Sequence, residues 1–105
     1  MISFEEFKRL ELKVAKVIDA EKIPNSTHLL KLEIDLGNEH RQIVSGIAKS
    51  YEPENLIGKE IIVVANLEPK EFMGVQSQGM LLAASGETLA LIIPDREVQP
   101  GSQIS

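Results

Sequence analysis

The sequence predicts an all-β domain: a partly open, five-stranded Greek-key barrel with one short helical turn and a C-terminal extension. Three observations carry that expectation. Alternating or apolar runs of strand length recur over residues 11–23, 30–36, 41–47, 61–65, 80–84 and 89–93, with turn residues between them. The helical turn expected among them, PENL at 53–56, follows the third run. The chain has 105 residues, a length that folds as a single domain around its own core.

Before the first strand, residues 3–10 (SFEEFKRL) read as a short helix. Ser3 suits the cap, Glu5 and Glu6 fall in the first turn, and Phe4, Phe7 and Leu10 recur at helical spacing. That spacing implies that Phe4 and Phe7 pin the helix onto one end of the barrel. In residues 11–23 (ELKVAKVIDAEKI), Leu12 and Val14 alternate with Glu11, Lys13 and Ala15, and the alternation slips at the adjacent Val17 and Ile18. Such a slip marks a bulge, a device by which small barrels bend and close. Lys13 and Lys16 read as solvated strand charges. Pro24, Asn25 and Ser26 make a turn.

The cleanest alternation comes next. Leu30, Leu32, Ile34 and Leu36 point to the core, with Lys31, Glu33 and Asp35 outward. Gly37 and Asn38 close a hairpin into residues 41–47 (RQIVSGI). His28 and His40 flank that hairpin with no cysteine and no carboxylate pair at ligand spacing, so both read as surface histidines and no metal is expected. Pro53 opens the helical turn, Gly58 ends it, and Tyr51 packs beneath. The runs at 61–65, 80–84 and 89–93 are apolar on both faces. One face fills the barrel and the other needs a cover. Residues 94–105 suffice for part of it, and a homodimer is the economical expectation for the rest.

Composition narrows the function. There are no cysteines, which excludes a disulfide framework, a thiolate nucleophile and a cysteine zinc site, and fits a reducing compartment. The first ten residues, MISFEEFKRL, lack the basic and apolar regions of a signal peptide, and no apolar run reaches the roughly 20 residues that span a bilayer. A cytoplasmic protein without a membrane partner is expected. Net charge is −5, from 16 acidic and 11 basic residues, so any nucleic-acid binding must be local, weak or shape-selective.

The chain is organised around residues 66–84 (NLEPKEFMGVQSQGMLLAA), a long, polar, glycine-punctuated loop between two apolar strands. Loops of that length in small domains are more often functional than decorative. It offers one cation, one aromatic ring and several hydrogen-bonding side chains but no general base, an inventory for binding rather than catalysis. GVQSQG at 74–79 has one residue too many for a nucleophile elbow, and no phosphate-cradling glycine motif is present. No enzyme activity and no cofactor are expected. One short helical turn after the third of about five strands outlines the OB-fold, which binds oligonucleotides or oligosaccharides across one face and its adjoining loops.

Three segments in order, residues 23–30 (IPNSTHLL), residues 41–58 with RQIVSGI and YEPENLIG, and the loop 66–84, resemble a known family. They are similar to the tRNA-binding domain at the C-terminus of methionyl-tRNA synthetases, also found as free-standing structure-specific tRNA-binding proteins and in eukaryotic synthetase cofactors. The resemblance runs from about Phe7 onward. It implies an OB-fold whose C-terminal extension dimerises, and binding to the outside of the tRNA L-shape without reading an anticodon. Carried over position by position, it implies tRNA-facing roles for Asn66, Lys70, Phe72, Ser77 and Met80, with Lys31, Arg41 and Ser45 on neighbouring strands. Lys70, Lys31 and Arg41 would meet phosphates, Asn66 and Ser77 sugar or phosphate oxygens, and Phe72 or Met80 a base or ribose.

On the residues alone, other readings stand beside these. Asn66 serves equally to close a turn, Ser77 to cap the loop backbone, Met80 to fill the core, and Lys31 and Arg41 as solvated strand charges. Two departures from the family pattern are visible: Glu68 and Glu71 bracket Lys70 where relatives carry more basic residues, and Ala15 stands where many have glycine. Met1, with no catalytic domain ahead of it, fits a free-standing chain or an excised domain. The expected function is a non-catalytic tRNA-binding module that assists methionyl-tRNA synthetase in cis or in trans. The alternatives are a peptide-binding export-type chaperone of the same fold, which lacks SQGMLLAA, and a purely structural dimerisation module.

Overall fold

The bulge at Val17 and Ile18 is where the barrel is made. The computed structural model describes Met1–Ser105. In chain order it contains helix α1 (Phe4–Lys8) and strands β1 (Leu12–Lys22), β2 (Leu30–Asp35) and β3 (His40–Ser45). After a 3-10 turn (Pro53–Asn55) come β4 (Glu60–Val64), β5 (Lys70–Phe72), β6 (Val75–Ser77), β7 (Met80–Leu81), β8 (Ala83–Ser85) and β9 (Leu89–Leu91). The first half of β1 pairs antiparallel with β4, from Leu12↔Val64 to Lys16↔Glu60. Its second half pairs with β2, from Lys16↔Asp35 to Lys22↔Leu30, with the register shifting between Val17 and Asp19. One long bent strand therefore serves both neighbours. The order β3-β2-β1-β4-β7 curls until β3 approaches β7, giving the expected nearly closed five-stranded barrel.

The interior is built by alternation. Leu30, Leu32 and Ile34 from β2, Ile43 from β3, and Ile61 and Val63 from β4 are all within 1% of full burial. Leu56, from the 3-10 turn, plugs one side of the same cluster at 0% exposure. Each such side chain contributes about 2 kcal/mol of transfer free energy. Tyr51 lies against this cluster, and its hydroxyl accepts a hydrogen bond from the Leu91 amide at 3.0 Å.

The tail completes the edge of β1 that β2 does not reach. The Val14 amide donates to the Ser102 carbonyl, Gly101 to Val14 and Ile104 to Leu12, at 2.7–2.9 Å. Gly101, at φ +89°, passes so close to Leu36 that a Cβ there would run into the Leu36 carbonyl.

Three expectations need correction. Helix α1 forms with a Ser3–Glu6 capping box, yet it buries no residue. Phe4 is 81% exposed and Phe7 37%, so neither pins the helix to the barrel. The tail already occupies the β1 edge, and the five-residue helix leaves Phe4, Phe7 and Leu10 lining an open hollow of about 370 Å³ with Ile104. The run at 80–84 is not one strand. It breaks at Leu82, whose amide donates to Ile62 and whose carbonyl accepts from Ile92, so β8 and β9 leave the barrel as a separate ribbon. Both faces of β4 are buried by the chain itself, with Ile61, Ile62, Val63 and Val64 at most 8% exposed. Exposed apolar side chains collect instead on α1 and at Ile92 and Ile93. The third correction concerns residues 66–84, which hold a hairpin rather than an irregular loop. No helix is long and apolar enough to cross a membrane.

Candidate nucleic-acid interface

Strands β5 and β6 pair as Lys70↔Ser77, Glu71↔Gln76 and Phe72↔Val75 around Met73 and Gly74. Both turn residues are left-handed, with φ 51° and 81°. Two consecutive positive-φ residues match the right-handed twist of a hairpin. Glycine meets that demand without strain; Met73 does not, and its side chain projects into solvent at 57% exposure.

The hairpin is fastened along the edge of β3 that β2 leaves free. The Val44 amide donates to Ser77 Oγ at 2.9 Å, and that hydroxyl donates to the Gly79 carbonyl at 2.8 Å. Gln42 Nε2 donates to the Gln76 carbonyl at 2.8 Å, and the Gln78 amide donates to the Gln42 carbonyl at 2.8 Å. Beneath the hairpin lies a second, smaller core outside the barrel. Ile23, Leu29 and Val44 are buried there, and Phe72 and Val75 pack onto them. The β1–β2 loop is shaped by Ser26, whose Oγ accepts from the Leu29 amide at 2.9 Å. Phe72 and Leu29 therefore join that loop and the hairpin into one surface. These are the two loops that flank the ligand face of an OB barrel.

On that surface Lys70 is exposed, its Nζ 5.1 Å from the centroid of the Phe72 ring, and it belongs to no ion pair. The other predicted cations are differently placed. Lys31 holds Glu21 at 2.7 Å, and the hydrogen bond and charge of that carboxylate raise its pKa. It shares a groove of about 300 Å³ with Asp19, Glu21 and Glu33, where anions outnumber it. Arg41 borders the same groove and holds Glu39 at 2.8 Å. That hydrogen bond raises the arginine and keeps the Glu39 carboxyl below its ordinary range.

The remaining predicted residues serve the frame. Asn66 is exposed, yet its Oδ1 accepts from the Glu11 amide at 2.8 Å and its Nδ2 donates to the Arg9 carbonyl at 2.6 Å. Ser77 is 2% exposed with its hydroxyl fully engaged. Ser45 is 7% exposed, opposite Leu30. Met80 is half-buried, opposite Val64. The structure thus brings Lys70, Phe72 and Ser77 together on the hairpin, sets Asn66 and Met80 near its two ends, and places Lys31 apart. Sequence reasoning missed Gln42 and Gln78, which zip the hairpin to β3. Gln78 alternates with Gln76, a pattern too common to read without the register, and Gln42 gives no signal of its own. No group of three His, Asp or Glu side chains is placed to hold a metal.

Residues 12–103 match the family described as "Putative tRNA binding domain". The chain belongs to that family. A methionine–tRNA ligase of Thermotoga maritima is 57% identical over 105 residues, which is 99% of this chain but 17% of the ligase. The chain thus spans about a sixth of that relative's length. Among solved structures, a MetRS-related protein from Pyrococcus horikoshii superposes with a TM-score of 0.95 at 45% identity, covering 100% of this chain and 98% of that one. The chaperone CsaA of Bacillus anthracis superposes with a TM-score of 0.92 at 36% identity, covering 100% and 99%. The tRNA-binding-domain family therefore accounts for nearly the whole chain, and its fold is shared with proteins named for two different roles.

Proposed function

We propose that this chain is a non-catalytic tRNA-binding module that assists an aminoacyl-tRNA synthetase, methionyl-tRNA synthetase first among them. One observation carries the reading: an unpaired Lys70 lies over Phe72 on a hairpin that shares a small core with the neighbouring loop. The cation is free for a phosphate, and the exposed part of the half-buried Phe72 ring beside it for a ribose or base. Family membership and the 57% identity to a segment of methionine–tRNA ligase support the same partner. The module docks on the outside of the tRNA L-shape, because it offers a platform rather than a pocket for an extruded base. Homodimerisation belongs to this reading. The hollow at Phe4, Phe7, Leu10 and Ile104 is apolar and exposed, and two sites on one body would offset weak single-site affinity.

The test is a titration of mixed tRNA into the full chain at low and moderate salt, with light scattering to count chains per complex. Binding should weaken steeply as salt rises. Lys70→Ala should lower affinity and reduce the magnitude of the log–log salt slope by about one, the signature of one lost phosphate contact. Absence of binding at low salt would remove the reading. A second reading is favoured by the CsaA likeness: a chaperone that holds unfolded peptides. It would appear as suppressed aggregation of an unfolded client, indifferent to salt and to Lys70→Ala.

A further inference from the structure

Arg41 occupies an unusual place. By register it stands opposite Ile34, on the barrel side of β3, and its side chain is a quarter exposed. Its Nη1 donates to the carbonyl of Ala65 and reaches the carbonyl of Gln78 at 3.5 Å. Ala65 is the residue just before the hairpin loop and Gln78 lies just after β6, so one guanidinium nitrogen touches both feet of the loop. The opposite edge of the guanidinium is gripped by Glu39, with Nε at 2.8 Å from Oε1 and Nη2 at 3.2 Å from Oε2. A guanidinium has five N–H donors. Two face Glu39 and two face the loop carbonyls, leaving one for anything else.

We propose that Arg41 is a positioning residue for the RNA-binding hairpin: its guanidinium closes the neck of the loop and does not bind phosphate. The proposal rests on the tRNA-binding reading for its functional consequence, while the clamp itself rests on geometry. Charge supports it. The Glu39 carboxylate neutralises the arginine at hydrogen-bond range, and the exposed part of Arg41 borders the groove of Asp19, Glu21 and Glu33. A phosphate there would find Lys31 held by Glu21, His40 against Glu33, and one remaining Arg41 donor beside three carboxylates. The chain leaves β4 at Ala65, makes the hairpin and returns to pair with β4 again, Val64↔Met80, so both feet stand side by side. Ser77 secures the hairpin to β3 and Asn66 secures the first foot to the end of α1. Arg41 adds a side-chain tie to the backbone pairing that already holds the two feet together. Only a planar fork serves both sides at once, carboxylate on one edge and carbonyls on the other.

Arg41→Lys separates the two roles, because lysine keeps the charge and most of the stem but not the fork. A phosphate ligand is largely rescued by lysine; a clamp is not. Two readouts are needed on the full chain: amide hydrogen exchange of residues 70–78 without RNA, and tRNA affinity across a salt series. The expected result for Arg41→Lys is faster exchange in the hairpin than in wild type, with β1 and β2 protected as before. Affinity should fall about tenfold, as for loss of a charged hydrogen bond. Wild-type exchange in the hairpin of Arg41→Lys would overturn the clamp, and wild-type affinity would overturn its part in RNA binding. If the wild-type chain binds no tRNA, the functional reading fails, and the exchange measurement still decides whether Arg41 holds the loop. Should Arg41→Ala not fold, Arg41→Lys remains the deciding variant.

Discussion

The outer face of β1 and β2 and the face of the hairpin each carry a lysine, and the two lysines have opposite circumstances. Lys31 lies on a regular strand, where the register Glu21↔Lys31 sets a carboxylate directly across from it. Lys70 lies on a short hairpin strand opposite Ser77, whose side chain points into the protein, and Glu71 occupies the alternate position. Strand pairing supplied a partner in one case and withheld it in the other. Charge counted along the sequence therefore overstates what a ligand can use. Of Lys31, Arg41 and Lys70 on this net −5 molecule, only Lys70 is without a carboxylate partner, because the other two are held by Glu21 and Glu39.

Breaking the seat of the hairpin should have the largest effect. Gly79 stands at φ +131°, and a Cβ there would lie 2.8 Å from the Val64 carbonyl oxygen. Gly79→Ala should cost about 3 kcal/mol in thermal or denaturant unfolding, and RNA affinity should fall with it. A stability near wild type would mean that the second foot of the loop is not under the constraint described. Ser77→Ala comes next. It leaves the buried Val44 amide without its partner, at a cost of about 2 kcal/mol. Because Ser77 is buried, RNA affinity should respond only through hairpin order, which exchange of the Lys70 and Phe72 amides will report.

The smallest effect is expected on the other side of the comparison. Lys31→Ala should leave tRNA affinity and its salt dependence near wild type, since Glu21 and not a phosphate is its partner. A drop equal to that of Lys70→Ala would instead make the two faces one binding site. The pKa of Lys31 is raised, so its pairing is fully present below the ordinary lysine range and is lost only as pH rises through the higher folded value.

Much of this fold was legible in the sequence, and the reasons are local. The alternation of Leu30, Leu32 and Ile34 needed only the two-residue period of a strand, and the bulge needed only adjacent Val17 and Ile18. Residues 70–77 were harder. Met73–Gly74 is not a pair that sequence rules associate with a tight hairpin, so the turn was hidden until the register fixed it. Phe4 and Phe7 misled because helical spacing reports a shared face, not what that face meets. The site divided along the same line. Lys70 and Phe72 were readable as chemistry, whereas the framing work of Asn66, Ser77 and Arg41 depends on partners distant along the chain, such as Arg9, Val44 and Ala65.

The pairing of the tail with β1 also bears on how the domain is made. The bonds from Gly101 and Ile104 to Val14 and Leu12 join residues about 87 and 92 positions apart, so the edge of the domain's first strand is sealed by its last residues. Contacts of such long sequence separation are slow to form, because loop-closure entropy opposes them before they return anything. Until residues 101–104 arrive, the first half of β1 presents open backbone donors and acceptors, the surface at which strands of separate chains pair. A domain truncated before residue 101 would therefore leave that edge of β1 open to a strand of another chain.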